Sequence, residues 1–357
     1  MFGTFVCCLR NKDAEYFNGE IRYINDSRKI VKKMISTPVP LHGRSYGEMA
    51  VYDSLIIFWN ALLPDFFFNI MNVDTGEEMG SFFSKGRGPG ESISVGPISN
   101  FYMEGGDLMT LVEAMNEKQL FFWNISRSLK EGFTVHDSIV PYETRIKDRY
   151  AFYSHMYRHT EDQLFAFAST AYLSETKMTP PFYEKRTIRS DELLAEYPIY
   201  KTSEFENKKS KLFQFNYFYS FDAIKPDGSR IVQAMSNLPQ INVIDIQTGR
   251  IIGYRLQKNP GFSLFETDMD PLNKYYNSVQ ADDNYIYATY WGKEQWTGND
   301  VPDIKTVHIY DWDGNQIYEL FTDRVFFRIY LDPVKNRLYT WDLKTGDAAY
   351  LDLNVLN

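Results

Sequence analysis

The chain is poor in cysteine: Cys7 and Cys8 are the only two among 357 residues. They are adjacent, and neighbouring cysteines rarely pair with each other, so no disulfide framework is available. A four-ligand zinc pattern is absent as well. Long apolar runs are also missing. The best internal candidate, residues 55–63, contains Asn60, falls short of the roughly 18 residues a membrane helix needs, and reads as a buried strand. Basic charge is scarce too: 38 Lys+Arg face 47 Asp+Glu, a net charge of −9. That balance argues against nucleic acid or an anionic membrane surface as partner. No Gly-x-Ser-x-Gly elbow occurs, so serine-hydrolase chemistry has no visible nucleophile.

Aromatic residues are abundant instead. Tyr 26, Phe 27 and Trp 6 make up 17% of the chain, and such residues favour pleated, half-buried surfaces. With 44% hydrophobic and 24% charged residues, the composition is that of a globular protein rather than a disordered one.

A repeat runs through the sequence. An aromatic strand, a tight turn and a second alternating strand recur, with turns near Asp53, Gly105, Glu161, Asp227, Asp283 and Pro333. Most copies are followed by a second hairpin, turning at Asp74-Thr75-Gly76, Gln247-Thr248-Gly249 and Asp313-Gly314-Asn315, with a looser version at Ser126 to Leu129. Thr-Gly, Asp-Gly and Gly-Asn supply the φ > 0 positions such turns need. Each unit is thus four short strands, and a lone four-stranded sheet cannot bury both faces. Six such units predict an all-β fold, a six-bladed β-propeller with four-stranded antiparallel blades. The last unit lacks a fourth strand, so the ring is expected to be closed by an N-terminal strand. Residues 29–35 alternate suitably and are assigned to the outer edge of the last blade. The resulting division is a tail, 1–28, and a single propeller, 29–357. The competing reading is two β-sandwiches split near residue 205, with the Lys/Glu-rich stretch 203–211 as linker.

The third unit carries an apparent insertion between Leu173 and Phe215, with Pro180-Pro181 and a helix-compatible stretch 190–196. A second apparent insertion, 292–303, has Trp291 and Trp296 close by.

The most distinctive string is Gly86-Arg87-Gly88-Pro89-Gly90-Glu91, directly after the fourth strand of the first unit. It lacks P-loop spacing, Pro89 removes one donor, and no helix pattern follows. It reads as a structural loop crossing from the rim of one blade to the centre of the next, with Arg87 and Glu91 tying it down. With the six aromatic units, this string resembles the TolB-like six-bladed propeller family of bacterial proteins, often lipoproteins. The resemblance covers about residues 43–353. It implies a fold and an extracytoplasmic location, periplasmic or on the cell envelope, but no reaction. The N-terminus bears on this: residues 1–9 are nearly all apolar and turn polar at Arg10. Two readings stay open, a tucked N-terminus or the remnant of a lipoprotein signal with Cys7 or Cys8 bearing the lipid, although Phe5 and Val6 are larger than a lipobox prefers. A membrane would then be met only through that anchor.

Five histidines occur: His42, His136, His155, His159 and His308. His155 and His159 have the spacing of a zincin pair, but Met156 stands where its Glu would be and the region reads as strand. On an innermost strand both would approach the central channel. Asp311, Asp313 and Asn315 mimic the start of an EF-hand loop in the wrong context, and Asp268, Asp270, Asp282 and Asp283 read as turn carboxylates. Neither a metal nor a cofactor is expected.

Two functions follow. The first is a non-catalytic binding module that presents a face or channel mouth to a protein, peptide or glycan. Tyr290, Trp291 and Trp296 would be its aromatic anchors, joined by His155 and His159. The second is a metal-assisted lactonase-, lyase- or glycosidase-like enzyme with its site in the channel, built from His155, His159, Asn100 and Asn277.

Overall fold

A computed structural model describes residues 12–42, 47–88, 90–143, 145–146, 149–174, 177–201, 218–258, 260–266, 273–294, 302–342 and 345–356. Cys7, Cys8, Pro89, Trp296, Asp268, Asp270 and the stretch 203–211 lie outside them.

The period-2 strands pair into six antiparallel sheets, one per repeat, in the ring order of the sequence. Blade one is Glu48–Tyr52, Leu55–Trp59, Phe66–Asn72 and Glu78–Ser84, from the centre outward. All six expected inner turns join the first and second strands of a blade. Four of them need backbone that most residues avoid: Asp53 has φ +52°, Gly105 +60°, Gly228 +71° and Asn336 +53°.

Each blade buries its faces against its two neighbours. Six apolar clusters result, one per interface, and the sixth joins the first blade to the last: Met49, Ile56 and Phe58 pack with Tyr339 and Trp341. The ring therefore closes, which excludes two separate sandwiches. Between blades one and two, Trp123 is fully buried, its centroid 5.0 Å from the Phe68 ring and 5.2 Å from Phe83. Such ring pairs add about 0.5–1.5 kcal/mol each beyond area burial. The aromatic richness is spent chiefly on these seams.

Ring closure differs in detail from the expectation. Thr37–Pro38, not residues 29–35, completes the last blade by pairing with Ala348–Asp352. The strand Ile30–Met34 instead adds a parallel fifth strand to blade five, against Gln316–Thr322. The reason is connectivity: the outer strand of every blade leads directly into the innermost strand of the next, and Thr37–Pro38 is the segment that precedes Glu48. Further upstream, Glu20–Tyr23 runs parallel to Ile251–Arg255 of blade four, and the helix Lys12–Tyr16 docks beside it. Residues 12–28, read from sequence as tail, thus begin a strap that walks along blades four, five and six.

Two local readings are also corrected. The loose turn at Ser126 to Leu129 is a helix, Ile125–Glu131. Asn124 caps it by accepting the Arg127 N–H, and Gly132 ends it in the left-handed region. The insertion in the third unit supplies that blade's outer strands, Phe182–Thr187 and Leu193–Pro198, so 190–196 is not helical.

Candidate functional site

Six innermost strands converge on the ring axis and enclose a cavity of about 440 Å³. Every blade contributes to its lining, through Glu48, Asn100, His155, Asp222, Gln280 and Tyr330 among others. Tyr52, Trp59 and Phe101 give it aromatic wall, with Tyr52 and Phe101 at 5.4 Å. A concave, largely apolar space with a few polar groups is what a ligand site requires.

Glu48, Asn100, Asn277 and Arg328 each stand four residues before the last residue of their blade's inner strand. This shared position brings them to comparable depth, but they do different things. Asn100 accepts the Arg158 N–H at 3.0 Å and donates to the Arg158 carbonyl at 3.2 Å, tying blade two to blade three. Asn277 donates to the Phe327 carbonyl at 2.7 Å, tying blade five to the approach of blade six. Both side chains are staples between blades. Arg328 and Glu48 form an ion pair at 3.0 Å across the seam of blades six and one. Desolvation works against the Arg328 charge, yet Glu48 beside it raises the guanidinium pKa overall. Burial first, then Glu48, pushes the Tyr330 hydroxyl up to about 12.

His155, on the inner strand Arg149–Thr160, pairs with Asp222 on the inner strand Ser220–Ile224: Nδ1 lies 2.6 Å from Oδ1. Asp222 also accepts the Tyr183 hydroxyl on Oδ2 at 3.0 Å and the Tyr157 hydroxyl on its carbonyl at 3.3 Å. Burial lifts both tyrosines well above the usual phenol range, which keeps them donors. His159, expected beside His155, faces elsewhere. Its ring packs on Gly228 in the inner turn of blade four, where a Cβ would lie 3.0 Å from His159 Nδ1. Burial, aided by Lys185, lowers its pKa. The two histidines therefore do not share a site. Among the described residues no group of three or more His, Cys, Asp or Glu side chains is placed to hold a metal ion.

The remaining candidates are placed as follows. Tyr290 is a packing residue rather than a loop anchor, stacked on His308 at 4.3 Å and edge-on to Tyr276 at 5.6 Å. Trp291, near the end of Tyr285–Glu294, donates its indole N–H to the Glu294 carbonyl at 3.2 Å and carries Lys293 4.6 Å over its ring. In the Gly-rich loop, Glu91 folds back to accept the Gly88 N–H at 2.7 Å, and a Cβ on Gly86 would lie 1.8 Å from its Oε2. Glu91 ties the loop as expected. Arg87 does not: it is exposed and pairs with no described residue. Asp311 accepts the backbone N–H groups of Asp313 and Asn315, and Asp282 those of Asn284 and Tyr285, so both are turn carboxylates.

Sequence reasoning found His155 but missed Asp222, Glu48 and Arg328. Glu48 and Arg328 share the inner-strand position of the two asparagines, and that equivalence was the available signal. Asp222, 67 residues from His155, leaves none.

No protein-family model matches this sequence, and no curated protein matches it. Solved structures do. A member of the DUF4221 family from Bacteroides vulgatus ATCC 8482 aligns at a TM-score of 0.58 and 12% identity, over 90% of this chain and 96% of that one. A protein of Bacteroides fragilis NCTC 9343, provisionally named as exported, aligns at 0.47 and 12% identity, over 93% and 98%. The calcium-binding protein regucalcin from Agrobacterium tumefaciens C58 aligns at 0.45 and 12%, over 90% and 94%. At such identities the likeness is one of fold: this chain is a six-bladed β-propeller.

Proposed function

We propose that the chain is a non-catalytic binding module whose ligand, a glycan, a peptide or a protein segment, enters the central channel. The observation that carries this reading is the cavity of about 440 Å³, lined by all six inner strands and walled by Tyr52, Trp59 and Phe101. Its volume lies in the range of small-molecule sites. The polar groups around it are already partnered, His155 with Asp222 and Glu48 with Arg328, which suits recognition by a preorganised surface. The Gly-rich loop of blade one supports kinship with TolB-like propellers, and with it an extracytoplasmic place and a lipid anchor on Cys7 or Cys8.

A block in the channel tests the reading. Ala50 lies on the inner strand of blade one and lines the cavity. On glycan and peptide arrays, Ala50→Trp is expected to lose the ligands that wild type captures while keeping its thermal midpoint. Undiminished capture by the variant would move the site out of the channel.

A further inference from the structure

The His155–Asp222 pair is asymmetric in a way that matters for binding. The Asp222 side chain is 1% exposed and both its oxygens are engaged, whereas the His155 side chain is 40% exposed and lines the cavity. An ionised carboxylate carries no proton, so Nδ1 is the donor in the 2.6 Å contact. Nε2 lies across the ring from that contact and has no partner among the described residues. When the ring is charged, Nε2 presents a second N–H to the channel. When it is neutral, Asp222 keeps the proton on Nδ1 and Nε2 becomes an acceptor.

The neighbours of the ring decide which state holds. Asp222 faces it from blade four, Glu48 from blade one and Glu113 from blade two. Tyr157 lies on its own strand, with ring centroids 6.0 Å apart, and Tyr183 reaches Asp222 from the third strand of blade three. Arg328, near Tyr219 and Tyr330, neutralises Glu48. Glu113 takes the Tyr142 hydroxyl and is itself pushed up by burial. Desolvation would strip the His155 proton, but Asp222, with Glu48 and Glu113 behind it, outweighs that and raises the imidazole pKa.

We infer that the Nε2–H of charged His155 anchors the carboxylate of a ligand in the channel and releases it when the ring loses its proton. This rests on the channel being the ligand site. A carboxylate fits better than the alternatives. The anions of the site are already taken, Asp222 by His155 and Tyr183 and Glu48 by Arg328, so a ligand cation would find no free carboxylate pair. A phosphoryl dianion would add two negative charges beside both anions, with only His155 and Arg328 to offset all four, whereas a carboxylate adds one. A single carboxylate needs one strong, charge-assisted donor, and His155 supplies it.

The test uses the full chain and four probes: D-galacturonate and N-acetyl-triglycine, with D-galactose and N-acetyl-triglycine amide as their uncharged counterparts. Calorimetric titration at pH 6 and pH 9 is expected to show binding of at least one acid. That acid should bind about tenfold or more weakly at pH 9, and its uncharged counterpart weakly at both. Galacturonate alone binding identifies a sugar acid as the source, and N-acetyl-triglycine alone a peptide terminus. His155→Gln keeps an N–H but cannot titrate, so its affinity should be lower and flat with pH. Asp222→Asn should move the midpoint of the pH dependence to lower pH, followed independently through the His155 ring resonance by NMR. Equal binding of acids and uncharged counterparts, a flat wild-type profile, an unchanged profile in His155→Gln, or no binding of either acid overturns the inference. If Ala50→Trp still abolishes array capture in those cases, the channel reading stands and only the carboxylate anchor falls.

Discussion

The strap, besides its parallel ladders to blades four and five, makes one buried ion pair, and breaking it should be costly. Arg255, at the end of the outer strand of blade four, is 1% exposed at its side chain. Its guanidinium meets Asp13 in a fork, Nη1 to Oδ2 at 2.9 Å and Nη2 to Oδ1 at 3.0 Å. Gln240 Oε1 takes Nε and the other Nη2 proton at 2.9 and 2.8 Å, and Asp13 also accepts the Phe262 N–H at 3.1 Å. Asp13→Ala removes the only carboxylate that a described residue offers to this guanidinium. Orphaning a buried charge typically costs about 3–5 kcal/mol. Asp13 is a quarter exposed and Gln240 retains its two bonds, so a cost somewhat below that range, ~2–3 kcal/mol, is expected. In a chain of 357 residues that is a fall of roughly 3–4 °C in thermal midpoint. Urea unfolding followed by circular dichroism should show a lower midpoint at an unchanged slope. Adding Arg255→Met to Asp13→Ala should recover much of the loss, because the double variant has no unpaired charge. A single variant as stable as wild type would refute the view that the strap is an integral part of the ring.

Other consequences can be measured in the same way. Burial holds His308 neutral, with its pKa lowered, beside the Tyr310 hydroxyl at 2.8 Å. The unfolded chain takes up a proton near pH 6.5 that the folded site resists, so stability should fall as pH drops below about 6.5. His308→Gln should flatten that part of the pH profile, and an unchanged slope between pH 5 and 7 would contradict the assignment. In the Gly-rich loop, Gly86→Ala should destabilise by about 1–3 kcal/mol because its φ of +157° suits only glycine and its Cβ would push the Glu91 carboxylate off the Gly88 N–H. Gly86→Ala with Glu91→Ala should cost less than the sum of the two single changes, as read by denaturant midpoints.

Much of the architecture was legible because it depends on local signals. Asp53, Gly105 and the other inner turns are short polar or glycine-bearing breaks between alternating strands, and each one is a turn of the ring. Pairing partners are a different matter. Alternation marks residues 29–35 as strand material, yet nothing local says that Ile30–Met34 joins blade five, and Thr37–Pro38 is too short to show a period. In the third unit, Pro180-Pro181 and a run of helix-formers hid Leu193–Pro198, whose side chains alternate in exposure as an outer strand's should. The site was less legible still. His155 and Asp222 meet only because two neighbouring inner strands converge, and the Glu48–Arg328 pair joins residues 280 positions apart. The repeat position that Glu48 and Arg328 share with the two asparagines hints at their common depth, but nothing in sequence order pairs them, and nothing at all points from His155 to Asp222.

The most direct test of the central claim is a crystal structure of the protein soaked with its tightest ligand from the glycan and peptide arrays. The account predicts density in the channel, between His155 and the Glu48–Arg328 pair and in contact with inner strands of several blades. Ligand density on the outer loops or the rim, with only solvent in the channel, would contradict it.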